Sequence, residues 1–187
     1  MHRARIAQSR IGRNTYPMTE RQKFDLIKEV KAPNKVHFEI RRYHSCVMAD
    51  VTVEGDYGNA ANLGFRPLVT YISQNNIAMT APVVQEEKHS GTWIVSFVMP
   101  AGAKREDLPI PANSKVTLRT IPEHTAAALS FCGYTSTAAI TKREAELREA
   151  LHLSGITTTG PMRIARFDPP WKPAFARHNE VVIPIND

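Results

Sequence analysis

The histidines are the first residues to test for catalysis or metal binding, because imidazole can act as a base or a ligand near neutral pH. Seven occur, and they are scattered along the chain: His2, His37, His44, His89, His124, His152 and His178. No two lie three or four residues apart, so no local metal-binding pair is predicted. The short motifs of phosphate-binding loops, dinucleotide sites, serine hydrolases and zinc proteases are also absent. We therefore expect a binding protein rather than an enzyme.

Positive charge is concentrated at one end of the chain. The 187 residues have a net charge of +6, but residues 1–35 hold nine Lys/Arg against three Asp/Glu, and the remainder holds fifteen of each. A nucleic-acid-binding domain needs a basic face on its folded body. We therefore expect no nucleic-acid partner, and we interpret residues 1–18 as a disordered basic arm before a single domain over residues 19–187.

Cys46 and Cys132 lie in apolar, strand-like runs and belong to no C-x-x-C motif. We expect two buried free thiols in a reducing compartment, with a disulfide between them as the alternative. The chain has no apolar run long enough for a signal peptide, and none near the roughly 18 residues of a membrane span. These features predict a soluble, cytoplasmic protein.

The elements that would position a binding site centre on residues 75–84. Asn75-Asn76 is a turn or helix-end signal. Every second residue after it is apolar: Ile77, Met79, Ala81 and Val83. This alternation predicts a strand with one apolar face. Pro82 cannot donate a hydrogen bond to a neighbouring strand, which places this strand at a sheet edge or introduces a bulge.

Residues 59–74 have the periodicity of an amphipathic helix. Its apolar stripe contains Ala61, Phe65, Leu68, Val69 and Ile72. Pro67 removes one hydrogen bond inside the helix. Burial of the four larger side chains contributes roughly 6–12 kcal/mol, which outweighs the ~3 kcal/mol cost of an interior proline. A second helix is predicted over residues 137–153, with a thinner stripe.

The order strand, helix, strand, strand is predicted twice, in residues 36–100 and 115–186. A short extra helix is expected over residues 19–30, where Thr19 and Gln22 form a capping box. Two β-α-β-β repeats favour an α+β fold, in which an antiparallel sheet forms a distorted open barrel with the helices packed on the sheet. Each helix covers only part of the sheet, so a groove is expected between the halves.

Six motifs resemble those of the SOUL / heme-binding protein family. They are Phe38-Glu39-Ile40-Arg41-Arg42-Tyr43, Gly64-Phe65-Arg66-Pro67-Leu68, Ile77-Ala78-Met79-Thr80-Ala81-Pro82-Val83, Val95-Ser96-Phe97-Val98-Met99-Pro100, Asp168-Pro169-Pro170-Trp171-Lys172-Pro173 and Arg177-His178-Asn179-Glu180-Val181. They occur in the family's order across about residues 36–185. The resemblance implies a fold like that of bacterial effector-binding domains. It also implies binding of heme or another tetrapyrrole, such as a porphyrin, in a shallow apolar groove beside the first helix.

The resemblance also suggests which residues form this groove. A porphyrin needs a flat apolar wall and a cation or two for its propionates. The candidate wall residues are Phe65, Leu68, Val69 and Ile72. The candidate cations are Arg66 and Lys172, with Trp171 next to Lys172. The alternative is that the helix stripe is mainly core, that Trp171 closes the barrel end and that the two cations are surface charges.

The axial ligand of the heme iron is a point at which this chain departs from some relatives. Some relatives carry a histidine before the tyrosine of the opening strand, where this chain has Arg42, and an arginine does not ligate iron. His44 is the candidate axial ligand, and a solvated histidine in a turn is the alternative. Without an axial ligand, binding would rest on apolar contact and would discriminate less for iron.

The predicted function is that of a non-enzymatic carrier or buffer of heme or a related porphyrin. Two alternatives stay open. One is an interaction module whose groove takes a peptide or another effector. The other is an enzyme acting on tetrapyrroles, with Glu39, Glu54 or Glu180 as its carboxylate. The sequence makes no prediction of the oligomeric state.

Overall fold

A computed structural model describes residues 19–187, and the predicted basic arm of residues 1–18 lies outside the described residues. The strands are β1 (Glu20–Arg21), β2 (Phe24–Lys31), β3 (His37–Tyr43), β4 (Cys46–Glu54), β5 (Thr80–Ala81), β6 (Val83–His89), β7 (Thr92–Val98), β8 (Val116–Ile121), β9 (His124–Cys132), β10 (Arg163–Arg166) and β11 (His178–Pro184). The helices are α1 (Tyr57–Gln74) and α2 (Thr137–Leu153), and short 3₁₀ turns lie at Arg105–Asp107 and Ala174–Ala176.

Nine strands form one antiparallel sheet in the order β2-β3-β9-β11-β10-β6-β7-β4-β8. The sheet is strongly curled. Although β11 and β9 separate β10 from β3, the guanidinium carbon of Arg163 lies 4.9 Å from the centre of the Tyr43 ring. β1 and β5 form a separate, two-stranded parallel ladder. The curled sheet with two packed helices confirms the predicted α+β fold with a distorted open barrel.

Alternation along the strands separates two faces of this sheet. In β4, Val47, Ala49 and Val51 belong to the core cluster under α1, so Asp50 between them points to the opposite side. We call the side that carries α1 and α2 the helix face, and the concave opposite side the inner face.

Helix α1 forms where the periodicity predicts it. The Asp56 side chain caps the first turn by accepting a hydrogen bond from the Asn59 backbone N–H at 2.9 Å. At the other end Asn75 is the C-cap, and Asn76 has a left-handed conformation with φ of 52°. Pro67 lies inside the helix without ending it, so the packing of the apolar stripe outweighs the lost hydrogen bond.

The apolar stripe of α1 packs against β4, β7 and β8. The core cluster under the helix contains Leu68 and Ile72 from α1 and Val95 and Phe97 from β7. Gly64 approaches β7 so closely that an added Cβ would lie 2.5 Å from the Val95 Cβ. The close packing of α1 on the sheet therefore depends on a glycine at this position.

Helix α2 covers the other half of the helix face, where it packs on β11. Ser136 caps its first turn by accepting a hydrogen bond from the Ala139 backbone N–H at 3.3 Å. The predicted stripe residues Ile140, Leu147 and Leu151 are buried, which confirms the second helix. Within the described residues, neither helix is long and apolar enough to cross a membrane.

The order strand, strand, helix, strand, strand occurs twice. It runs through β3, β4, α1, β6 and β7, and again through β8, β9, α2, β10 and β11. β3 pairs with β9 and β8 pairs with β4, so the first strand of each set pairs with the second strand of the other. The interpretation of residues 36–100 and 115–186 as pseudo-repeats, and of residues 19–187 as one domain, stays a prediction.

The short helix predicted over residues 19–30 is wrong. These residues form β1 and most of β2, and β2 is an edge strand paired antiparallel with β3. The spacing of Thr19 and Gln22 fits a helix start locally. The ladder of hydrogen bonds to β3 overrides this weak local preference.

The strand predicted to start at Ile77 is interrupted. β5 covers Thr80–Ala81, Pro82 follows, and β6 begins at Val83. β6 lies inside the sheet between β10 and β7, so the edge position inferred from Pro82 is wrong for it. The proline instead marks a break between two strands, because its missing N–H cannot continue the ladder.

The prediction of two buried thiols is wrong for Cys132, which is exposed at the end of β9. Cys132 shares the inner face with Ser130, which is also exposed, because the helices cover only the opposite face. Cys46 is partly buried at the start of β4. Both cysteines of the described residues are free, so the alternative disulfide is not formed.

Candidate functional site

A row of side chains crosses the helix face between the two helices. Strand register brings its members side by side: Phe97, Val83, Arg166, Asn179 and Phe131. Over the Phe97 end, the Phe65 ring of α1 lies edge-on to the Phe97 ring, with 5.2 Å between the two ring centres. Over the Phe131 end, the guanidinium carbon of Arg143 in α2 lies 5.7 Å from the ring centre. We call the space between the helices, floored by Val83 and Arg166, the interhelical groove.

The groove has an apolar flank that comes from α1. Phe65 and Val69 are one helical turn apart on the same side of the helix. Phe65 is 40% exposed and Val69 is half-buried. Leu68 and Ile72 are buried in the core beneath α1. Of the four predicted wall residues, Phe65 and Val69 are therefore partly exposed, and Leu68 and Ile72 are occupied by core packing.

Arg166 is a cation on the floor of the groove. It is half-buried, and its Nη2 donates to the Oε1 of Gln85 at 3.1 Å. Gln85 in turn donates to the backbone carbonyl of Tyr57 at 2.9 Å. The guanidinium carbon of Arg166 lies 5.9 Å from the centre of the Tyr57 ring. The N-terminal end of α1 therefore helps to hold this cation in position.

The sequence analysis named Arg66 as a candidate cation for propionates and did not consider Arg166. Arg66 is exposed and lies two residues after Gly64, which places it on the side of α1 away from the sheet. β10 carries Arg163 and Arg166 at its two ends, and their three-residue spacing directs them to opposite faces. The alternation in β10 was the available signal, but only the sheet register reveals which arginine faces the helices.

The loop that follows β10 holds the other two predicted site residues. The Nζ of Lys172 lies 2.8 Å from the Oδ1 of Asp168, so its charge is already paired. Trp171 is 83% exposed and does not close the barrel end. Arg177 braces the loop by donating to the backbone carbonyls of Pro170 and Lys172. Trp171 is therefore an exposed aromatic side chain on a hydrogen-bonded loop.

His44 lies in the turn between β3 and β4, away from the groove residues. Its Nε2 is 2.9 Å from the Oδ2 of Asp25. It borders a cavity of about 260 Å³ together with Cys46 and Thr80, and no residue of α1 lines that cavity. Among residues 19–187, no three or more His, Cys, Asp and Glu side chains are grouped so that they could hold a metal ion.

The inner face holds a buried ion pair. Arg41 donates from Nη1 and Nη2 to the two carboxylate oxygens of Glu180 at 2.8 and 2.9 Å, and from Nε to Glu39 at 2.6 Å. Burial alone would raise the pKa of Glu180, but hydrogen bonds from His178 and Arg41 outweigh it and lower the pKa to about 2. Glu39 and Glu180 are therefore engaged with Arg41 on the face opposite the groove, and Glu54 is exposed at the end of β4.

A family model matches nearly all of the described chain. The model of the SOUL heme-binding protein covers residues 19–184. The chain belongs to the SOUL heme-binding protein family. The match includes all six motifs and confirms the resemblance inferred from them. A search of curated proteins finds no match.

Solved structures share the fold of this SOUL-family chain at low sequence identity. The crystal structure of the EcmrR C-terminal domain has a TM-score of 0.65 at 12% identity, over 80% of this chain and 97% of that one. A cryo-EM structure of an EcmrR–DNA complex has a TM-score of 0.64 at 14% identity, over 80% of this chain and 57% of that one. A crystal structure of a hydrolase from Listeria innocua has a TM-score of 0.54 at 16% identity, over 80% of this chain and 91% of that one. At these identities the likeness concerns the fold alone.

Proposed function

We propose that this protein binds heme or another tetrapyrrole in the interhelical groove and acts as its carrier or buffer. Membership of the SOUL heme-binding family supports the ligand class. The observation that carries the position is Arg166, a half-buried cation beside apolar side chains on an otherwise uncharged floor. A tetrapyrrole joins a flat apolar ring to carboxylates, and this combination of groups suits both parts.

Apolar contact to the ring would come from Phe65, Val69 and Val83. The Phe65 ring already rests edge-on against Phe97, so its exposed part is held in place before a ligand arrives. A pre-positioned aromatic ring loses little side-chain entropy on binding. Stacking on such a ring adds about 0.5–1.5 kcal/mol beyond the area that is buried.

The carboxylate of the ligand would pair with Arg166. A guanidinium has five N–H donors, and the bond to Gln85 uses only one of them. The buried hydroxyl of Tyr57 has no hydrogen-bond partner among the described residues. The Tyr57 ring lies under the same guanidinium. Beside Tyr57, the groove therefore has N–H and O–H donors without a partner among the described residues, and a propionate could accept hydrogen bonds from them.

The groove residues include no histidine, so they would give heme iron no axial imidazole. We therefore expect hemin and metal-free protoporphyrin to bind with affinities within a few-fold of each other. His44 lies beside a different cavity, and His44→Ala should leave the spectrum of bound heme unchanged. A changed spectrum would mean that His44 ligates the heme iron.

Titration of hemin and protoporphyrin into wild type, Arg166→Gln and Arg66→Gln tests the proposal. Saturable spectral shifts are expected for wild type. Arg166→Gln should weaken binding about 10-fold or more, because a hydrogen bond to a charged group contributes about 1.5–3 kcal/mol. Arg66→Gln removes the same charge on the side of α1 away from the sheet and should change affinity less than twofold. Free-ligand spectra at micromolar protein, or equal effects of the two variants, would contradict the proposal.

A second candidate function is an interaction module that takes a peptide or a non-tetrapyrrole effector. The exposed aromatic residues Trp171 and Phe175, on the loop braced by Arg177, favour it, because aromatic residues commonly anchor protein interfaces. A fluorescence screen that compares apolar ligands with porphyrins separates the two functions. Preference for a ligand without carboxylates or a macrocycle would support the module.

A further inference from the structure

The loop between β10 and β11, residues 167–177, exposes apolar side chains and withdraws its charged ones. Its exposed residues are all uncharged: Pro170, Trp171, Pro173 and Phe175. Trp171 is 83% exposed and Phe175 is 82% exposed. The charged residues of the loop are half-buried: Asp168, Lys172 and Arg177. A loop in contact with water alone usually has the opposite arrangement, so this one indicates an apolar partner.

Hydrogen bonds fix the backbone around these aromatic residues. Arg177 donates from Nε to the backbone carbonyl of Lys172 at 2.8 Å and from Nη2 to that of Pro170, on either side of Trp171. The backbone N–H of Ala176, next to Phe175, donates to the carbonyl of Pro173 at 2.9 Å. The loop therefore presents both aromatic side chains without first having to order its backbone, which lowers the entropic cost of docking.

A third exposed aromatic residue adjoins the loop. Tyr134 follows β9 and is 71% exposed. The guanidinium carbon of Arg177 lies 5.7 Å from the centre of its ring. Tryptophan and tyrosine combine an apolar ring with a polar group, and both are enriched at the boundary between lipid and water. The composition of this surface therefore fits a lipid partner.

Positive charge joins the fold next to the same loop. Residues 1–18 contain four arginines and no Asp or Glu, and they precede β1. In β1, the guanidinium carbon of Arg21 lies 5.2 Å from the centre of the ring of Phe167, the first residue of the loop. A basic segment beside exposed apolar side chains is the combination that binds anionic lipid. Charge complementarity therefore favours an anionic lipid surface over an uncharged apolar partner.

We propose that the loop of residues 167–177, together with Tyr134, docks on a membrane surface that contains anionic lipid. The exposed aromatic rings would enter the boundary between head groups and acyl chains, and the arginines of residues 1–18 would add electrostatic attraction. Stable attachment to a membrane generally needs two such signals, one apolar and one basic.

Docking would also bring the interhelical groove close to lipid, because the loop begins directly after Arg166 on the groove floor. An apolar macrocycle partitions into lipid, so a carrier held there could collect or deliver it. This consequence rests on the proposed function, whereas docking does not. A protein that binds vesicles but no protoporphyrin would support docking and contradict the proposed function.

Sedimentation of the full chain with vesicles tests the proposal. The probes are vesicles of phosphatidylcholine alone and vesicles of phosphatidylcholine with phosphatidylglycerol. Binding to the anionic vesicles should be at least about 10-fold tighter than to the neutral ones and should weaken as salt is added. No binding to the anionic vesicles, or equal binding to both kinds at low salt, would overturn the proposal.

Variants locate the surface. Trp171→Ala and Phe175→Ala should each weaken binding to the anionic vesicles about 10-fold, because each removes a large apolar side chain from the contact. Leu153→Ala is the control, since Leu153 is also an exposed apolar residue but lies at the far end of α2 from Tyr134. It should change affinity less than twofold. Equal effects of Phe175→Ala and Leu153→Ala would overturn the assignment to the loop.

Trp171 also reports on its own position. Trp93→Phe leaves it as the only tryptophan of the chain. Its emission should shift to the blue on anionic vesicles and should be quenched by lipids brominated on their acyl chains. Unchanged emission at vesicle concentrations that sediment the protein would overturn the insertion of the loop.

Discussion

Arg41 and Glu180 form a bidentate ion pair that water scarcely reaches, and Glu39, Tyr43 and His178 extend it. Bringing both charges out of water is costly, so the pair is stable only while its geometry is complete. Removal of Glu180 leaves the buried Arg41 with only the partly exposed Glu39 as a counter-charge. The pair is therefore expected to be a sensitive point in the stability of the sheet, because it joins β3 to β11 across β9.

Glu180→Gln should lower the free energy of unfolding at pH 7 by about 3–5 kcal/mol, because Arg41 loses its buried counter-charge. Glu144→Gln is the matched control. It breaks the surface pair with Arg148 at 2.8 Å and should cost less than about 1 kcal/mol. Urea unfolding of the two variants beside wild type gives both values. Equal losses would mean that the buried pair has no special role.

The same pair should give the protein a defined sensitivity to acid. The pKa of Glu180 is lowered from 4.5 to about 2 in the folded state. Its contribution to stability is therefore complete above the unfolded value of 4.5 and is lost as the pH falls through about 2. The stability difference between wild type and Glu180→Gln should shrink over this window. A constant difference from pH 6 to pH 2 would contradict the assigned shift.

For single residues, the sequence predicts which types of side chain form a site better than where those side chains lie in the fold. It pointed to Arg66 as a cation near an apolar helix flank. In the fold Arg66 is exposed on the side of α1 away from the sheet, and Arg166 lies on the floor of the groove. The direction of a side chain on β10 depends on how that strand pairs with β6 and β11, and this register is a long-range property. The buried bond between Arg41 and Glu180 spans 139 positions of the chain, so no local pattern could reveal it.

A single glycine, Gly64, sets the distance between helix α1 and the sheet. A Cβ at position 64 would lie 2.5 and 2.6 Å from two carbons of Val95. Such contacts are too short for real carbon atoms, so either the helix or Val95 would have to move.

Gly64→Ala should therefore destabilise the protein by about 1–2 kcal/mol, because overpacking costs about 1–3 kcal/mol and the helix preference of alanine offsets part of it. Gly58→Ala, in the first turn of the same helix, is the control. Its Cβ would meet nothing closer than 3.5 Å, so stability should stay equal or rise. Thermal unfolding measures both. If Gly64→Ala were as stable as Gly58→Ala, the close packing of α1 on β7 would be contradicted.

The two helices could be predicted because their apolar stripes are local. Asp56, Asn75 and Ser136 act within one turn of the chain, and burial follows the 3.6-residue period. The segment at residues 19–30 could not be predicted in the same way. Its short apolar pattern suits a helix or a strand, and its pairing with β3 in the folded sheet decides between them.

Across the whole molecule, the curled sheet separates two kinds of chemistry. Most side chains buried on its helix face are apolar, and Gln85, Arg166 and Asn179 are among the exceptions. Its inner face carries buried Asp, Glu and Arg side chains. The α+β class, with two helices on an antiparallel sheet, could be predicted from the chain. The curvature that brings β10 near β3 could not, because it depends on contacts between distant strands.

A map of amide NMR shifts during titration with protoporphyrin tests the central claim most directly. We expect the largest shifts along the α1 flank at Phe65 and Val69 and on the floor at Val83 and Arg166. Inner-face positions such as Asp50 and Ser130 should stay close to their free values. Shifts concentrated on the inner face, or around His44, would contradict the assignment of the tetrapyrrole to the interhelical groove.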